Sequence, residues 1–167
     1  MTDAEDPSHV LKAALQTQLA AMKEYFDRST RVLEEKDSNY RPVTGMLTAA
    51  QQIAHAAQTV EWFVGGAFAA AGFDMDFERM DKEVRAVTSI AAARAWMDRA
   101  CDKAKSAIES HLEADWNAQF PPNPIMGEAP KFALFFALAD HTAHHRGALT
   151  VYSRHLGYVP PMPYMEM

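Results

Sequence analysis

A chain of 167 residues has room for one well-cored domain and is short for two, so residues 1–167 are expected to form a single domain that builds any site internally. Its 16 basic and 22 acidic residues leave a formal charge of −6, and the local clusters mix signs, as in FERMDKEVR; that balance repels phosphate backbones and makes nucleic acid an unexpected partner. The opening MTDAEDPSHV is acidic where a secretory leader would be basic and then apolar, and no apolar run is long enough to cross a bilayer, which reads as a cytoplasmic chain with no membrane partner.

The first helix is expected to open at Asp6-Pro7, an aspartate to cap free amides and a proline that the first turn tolerates. Its stripe runs Leu11, Leu15, Leu19, Met22, Phe26 and Leu33, and the following KDSNYRPVTG reads as a loop. Thr48 with Gln51 three residues later predicts a capping box at the start of a second helix. Ile53, Ala57, Val60 and Val64 form one stripe there, and Trp62, Phe63 and Phe68 make most of the remaining surface apolar, so this helix is placed centrally.

Between Gly72 and Thr88 the charged segment FDMDFERMDKEVRAVT, carrying Phe73, Met75 and Phe77, reads as a long crossover between helices 2 and 3. Ser89 is expected to cap the third helix, with the stripe Ala93, Trp96, Met97, Ala100, Ala104, Ile108 and Leu112. The prolines of FPPNPIMGEAP forbid helix, Pro130 suits the first turn of a fourth helix, and Gly157 ends it as the residue after the cap. With no strand alternation and no repeat, the expectation is an all-α four-helix bundle with an extended tail from about residue 158 along its surface.

The fourth helix contains LADHTAHHRGALTVYSRHLG. At about 100° per residue, Leu134, Leu138, His141, His145, Leu149, Tyr152 and Leu156 fall in one arc, so His141 and His145 face the core. An unpaired buried imidazole nitrogen costs on the order of 1 to 3 kcal/mol, so the two need partners. Four residues apart on one face, they can converge on a single ion; the zincin glutamate is absent, since Thr142 stands in its place, which argues against a metalloprotease. A lone cysteine, Cys101, supplies no thiolate cluster, so any ion must be held by nitrogen and oxygen. A third ligand should come from another apolar helix, and the candidate is His55 in QQIAHAAQTVEWF, whose alternative is a hydrogen-bonded core histidine.

His144 and His155 lie off the row, at the cavity rim, behind the ligands or in solvent, and His9 and His111 are expected to be exposed or amphipathic. Arg146 and Gly147 point away from the row, and Gly147 is read as letting a neighbouring helix approach. A second stripe, Phe132, Phe136, Ala139 and Ala143, faces nearly opposite the histidines and must pack on a helix, the tail or a second subunit; a homodimer is the preferred expectation.

The stretches MLTAAQQIAH and HTAHHRGALTVYSRHLGYVPP resemble the DinB/YfiT-like family of metalloenzymes, and the resemblance covers most of the chain. It implies a four-helix bundle with a long crossover, frequent dimers, and a divalent ion on His55, His141 and His145. One departure is Ala148, where the family often carries glutamine. Three neutral imidazoles leave a coordination position open, as catalytic sites do. The expected function is therefore a zinc- or nickel-dependent enzyme acting on a small molecule. The reaction is either a thiol-dependent transfer using a low-molecular-weight thiol, as the resemblance implies, or metal-assisted hydrolysis. The alternative is a non-enzymatic, stress-related bundle with a structural metal or a small-ligand role, its fourth position closed by His144, Glu61 or Asp140.

Overall fold

Side-chain caps at Thr48 and Ser89 set where two of the long helices begin. In the computed structural model, which describes residues 10–165, the helices are α1 (Val10–Thr30), α2 (Ala49–Phe68), α3 (Phe77–Arg85), α4 (Ile90–Ser110), α5 (Glu113–Asn117) and α6 (Leu134–His155). Among the described residues there is no strand, and no helix is long and apolar enough to cross a membrane. The fold is all-α, with α1, α2, α4 and α6 as its long members. The expected opening at Asp6-Pro7 and the exposed His9 lie outside the described residues.

The caps follow the sequence closely. Thr48 Oγ1 accepts from the Gln51 amide at 3.3 Å while Gln51 Oε1 accepts from the Thr48 amide at 3.0 Å, the reciprocal box expected at α2. Ser89 Oγ accepts from the Ala92 amide, and a 3₁₀ turn at Glu35–Asp37 adds two more acceptors to the same helix end. Ser38 Oγ takes the Ile90 amide at 3.0 Å and a Glu35 carboxylate oxygen takes the Ala91 amide at 2.9 Å. The loop reading of this region thus misses one structured turn, because its use is to satisfy a helix distant in sequence. At α6, Gly157 sits at φ 84°, with its amide on the Arg154 carbonyl and the Tyr158 amide on the Ser153 carbonyl, a Schellman closure.

Hydrogen bonds between helices give the topology. Lys12, at the start of α1, donates to the carbonyls of Glu109 and His111 at the end of α4, and Arg94, near the start of α4, donates to the Thr30 carbonyl at the end of α1. These helices are therefore antiparallel, and each cation sits where the carbonyl end of its neighbour is negative. In contrast, α2 and α4 run parallel: Glu61 meets Trp96 and Lys103, and Phe68 meets His111. Parallel neighbours cannot be joined by a tight turn, so the chain needs the crossover that the sequence predicts, and α3 is its helical part. The crossover holds more order than expected; Asp76 caps α3 by accepting from the Arg79 amide, and Val84 is buried.

Two expectations fail at helix ends. The stripe of the third helix predicts a buried Leu112, but α4 stops at Ser110, and Leu112 is 71% exposed at the head of α5. His111 turns to extended backbone and stacks on Phe68 at 3.6 Å, and the fully buried Trp116 fills the interior beyond it. Pro130 precedes a 3₁₀ turn (Lys131–Ala133) before α6 starts, so it enters the helix one turn early. The tail after Gly157 is largely without regular structure, and Arg28 donates to the Pro163 carbonyl while Tyr164 meets Tyr25 edge to face. Arg146 lies over both tyrosine rings, which is where it points instead of toward the histidines.

Gly147 does not serve a close helix approach: a Cβ built there meets nothing within 4 Å, and the residue is exposed. Gly66 is the close approach, since a Cβ there would lie 2.3 Å from the Phe73 ring of the crossover. Gly147→Ala should therefore stabilise the protein by about 0.5 to 1 kcal/mol, by helix propensity. Gly66→Ala should instead destabilise it by displacing Phe73 from the core; urea unfolding of the two variants measures the opposite signs.

Candidate metal centre

Helix α2 carries His55 one turn beyond its capping box, and α6 carries His141 and His145 one turn apart. Because α2 and α6 are antiparallel, with Gln52 against Tyr152 and Thr59 against His141, the three imidazoles meet in the seam between them. Their ligand nitrogens all lie within 4.8 Å of one another, and ring centroids are 5.1 Å (His55–His141), 4.8 Å (His55–His145) and 4.4 Å (His141–His145) apart. The arc read from the sequence is buried as expected at Leu134, Leu138, His145, Leu149 and Tyr152, with His141 half-buried.

One pair of these nitrogens has the spacing of two ligands of a single ion. His141 Nε2 and His145 Nε2 stand 3.2 Å apart, while two nitrogens held at about 2.0–2.1 Å by one tetrahedral ion would be about 3.3 Å apart. His145 Nδ1 lies 2.5 Å from Gln52 Oε1, Gln52 Nε2 donates to the Tyr152 hydroxyl at 3.3 Å, and that hydroxyl donates to the Leu47 carbonyl at 2.9 Å. His141 Nε2 lies 3.5 Å from Thr59 Oγ1, whose hydrogen goes to the His55 carbonyl at 3.0 Å, and His141 Nδ1 is buried without a partner.

Burial is the main reason the imidazoles stay neutral. It pushes His145 down to about 3 and His141 down to about 4, and the neighbouring imidazoles push the same way. His55 is also lowered, by burial first, with Asp81 opposing. Neutral imidazole is the form that binds a metal, so desolvation prepares the donor set instead of protonating it.

A family model of the DinB superfamily matches residues 18–149, which enclose all three histidines. The chain belongs to the DinB superfamily. No curated protein matches it. The match ends before Tyr152, so the hydroxyl that organises Gln52 in this DinB-superfamily chain lies just beyond the matched segment.

None of the three suggested fourth ligands joins the group. Glu61 accepts from Trp96 Nε1 at 2.8 Å and from Lys103, which faces it toward α4; its carboxyl is lowered despite burial by those two hydrogen bonds. Asp140 and His144 are exposed, and the His144 ring stands edge-on to His145 at 5.0 Å, the rim position expected of it. His155 is exposed as well, and His111 packs on Phe68.

Sequence reasoning overlooked Gln52, Thr59 and the walls of the site. The available signal was a glutamine on the otherwise apolar inner face of α2, three residues before His55. A second row on α2 was also legible only in retrospect. Gln51 donates to the Arg85 carbonyl at 2.8 Å, Gln58 to the Met80 carbonyl at 3.0 Å and Trp62 to the Asp74 carbonyl at 2.8 Å. These positions and His55 share one face at helical spacing, so the crossover is tied alongside the face that bears His55. A cleft of about 510 Å³ between Phe68, Phe73 and Phe120 lies at the other end of α2 and contains none of the histidines.

The depressed histidines fix a sign for pH dependence. Between the ordinary value of 6.5 and about 3, the unfolded chain takes up protons that the folded seam refuses, so stability falls as pH falls through that window. Thermal melting of chelator-treated protein should drop from pH 7.5 to pH 4.5, and less steeply once His141 and His145 are both replaced by glutamine. Equal slopes in the two proteins would contradict neutral, buried imidazoles.

Proposed function

We propose that this DinB-superfamily chain is a divalent-metal-dependent enzyme acting on a small molecule, with His55, His141 and His145 as the ligands and zinc or nickel as the ion. The observation that carries the reading is the convergence of three neutral imidazoles with no fourth His, Cys, Asp or Glu in the group among the described residues. When bound, such an ion acts as a Lewis acid and lowers the pKa of water or of a thiol.

The chain's own residues shape which chemistry is open to it. Cys101 is buried on α4, and burial pushes its thiol up to about 12, so it offers no thiolate. A nucleophile is therefore supplied from outside, as a low-molecular-weight thiol in a transferase or as water in a hydrolase. Partial exposure of His55 and His141 leaves the seam open to such a molecule, and His144 stands at its rim. A purely structural ion would call for a closing protein ligand, and the engagement of Glu61 with Trp96 and Lys103 disfavours that alternative.

A homodimer is part of the same proposal. Phe136 is 66% exposed on α6 with Phe132 edge-on to it, while Ala139 and Ala143 border a depression shared with Tyr25 and Tyr164. The apolar stripe thus runs from the depression at Ala139 and Ala143 to the exposed Phe136, which would seat a second copy.

Two outcomes test the proposal. Elemental analysis should find stoichiometric metal in the wild type and in His144→Ala, and most of it lost in His55→Ala, His141→Ala and His145→Ala. Cobalt-substituted protein should change its visible spectrum on titration with thiols or anions, and an unchanged spectrum would favour a closed structural ion. For the dimer, sedimentation should show Phe136→Asp shifted to monomer with its helical content retained.

A further inference from the structure

The polarity of the hydrogen bonds around His145 can be read from one fixed point. A backbone carbonyl only accepts, so at 2.9 Å from Leu47 the Tyr152 hydroxyl must donate its single hydrogen there. The 3.3 Å contact between Tyr152 and Gln52 is then one that the hydroxyl receives, which places the NH₂ of Gln52 toward Tyr152 and its oxygen toward His145. An amide oxygen also only accepts, so the 2.5 Å contact requires the hydrogen on His145 Nδ1. A neutral imidazole has one N–H, and Nε2 is left as a lone pair facing His141 and His55. No other arrangement of hydrogens satisfies all three contacts.

We propose that Gln52 is a positioning residue, grounded through Tyr152 on the Leu47 carbonyl, that locks His145 in the tautomer presenting Nε2 to a metal ion. The inference rests on the metal reading above and adds to it a specific device. His141 contrasts with His145, since its Nδ1 is buried without any partner. Leu47 immediately precedes Thr48, the N-cap of α2, so the same short segment that starts the helix also anchors the lock. Gln52 itself is buried and never touches the ion; it acts through His145.

The test uses Gln52→Leu, Gln52→Glu and Tyr152→Phe in the full chain. Zinc affinity, measured by competition with a chromophoric chelator, should weaken by about 10- to 100-fold in Gln52→Leu, the range for loss of such a partner. Gln52→Glu keeps an acceptor and should stay close to wild type. Tyr152→Phe frees the amide to turn and should fall between them. In parallel, ¹⁵N NMR of the metal-free protein should place the His145 hydrogen on Nδ1 in the wild type and Gln52→Glu, and shift it toward Nε2 in Gln52→Leu.

Zinc bound as tightly by Gln52→Leu as by wild type, or an Nε2–H tautomer in the metal-free wild type, overturns the proposal. If Gln52→Leu fails to fold, Tyr152→Phe decides: unchanged affinity and unchanged tautomer overturn it. A wild type that binds no zinc or nickel overturns the metal reading instead, and the tautomer of the metal-free protein then still reports whether Gln52 locks His145.

Discussion

An imidazole taken out of water costs free energy for each nitrogen left without a partner, and the seam between α2 and α6 brings three of them together, His145 buried and His55 and His141 half-buried. Burial keeps the rings neutral, their mutual proximity reinforces this, and neutrality turns a crowd of polar groups into a donor set. The surrounding structure is organised around that condition. Antiparallel packing brings the early part of α2 against the later part of α6, and Gln52, Tyr152 and the Leu47 carbonyl settle one ring from behind.

Helix α2 serves several neighbours at once. Ile53, Ala57 and Val60 are buried in the core, Gln52, His55 and Thr59 form the row that meets α6, and Gln51, Gln58 and Trp62 hold the crossover. His55 belongs to both of the polar rows, at the spacing of about three to four residues that a helix face allows. The crossover exists because α2 and α4 are parallel, and having to pass alongside α2 it becomes a wall beside His55. Topology and site construction are one problem in this fold.

The positions where expectation and structure part company share a cause. The stripe of α4 predicts Leu112 inside, yet His111 leaves the helix to stack on Phe68 and Trp116 takes the interior. Gly147 looks like a packing glycine in its H-R-G context, while the real close approach is Gly66 against Phe73, a pairing across the crossover. In each case the deciding partner lies outside the helix being read, and periodicity along one helix carries no information about it.

What the sequence determined by itself rests on local geometry. The capping box at Thr48, the cap at Ser89, the left-handed Gly157 and the arc holding His141 and His145 follow from short-range rules of helix dimensions and hydrogen bonding. Even His55 could be nominated, because two core-facing imidazoles demand a partner from another apolar helix. Only the tertiary structure decided that Glu61 engages Trp96 and Lys103, and that Gln52 stands behind His145. A side chain's choice between two neighbours is an interhelical matter, settled by the angle and register at which helices pack, which no single helix encodes.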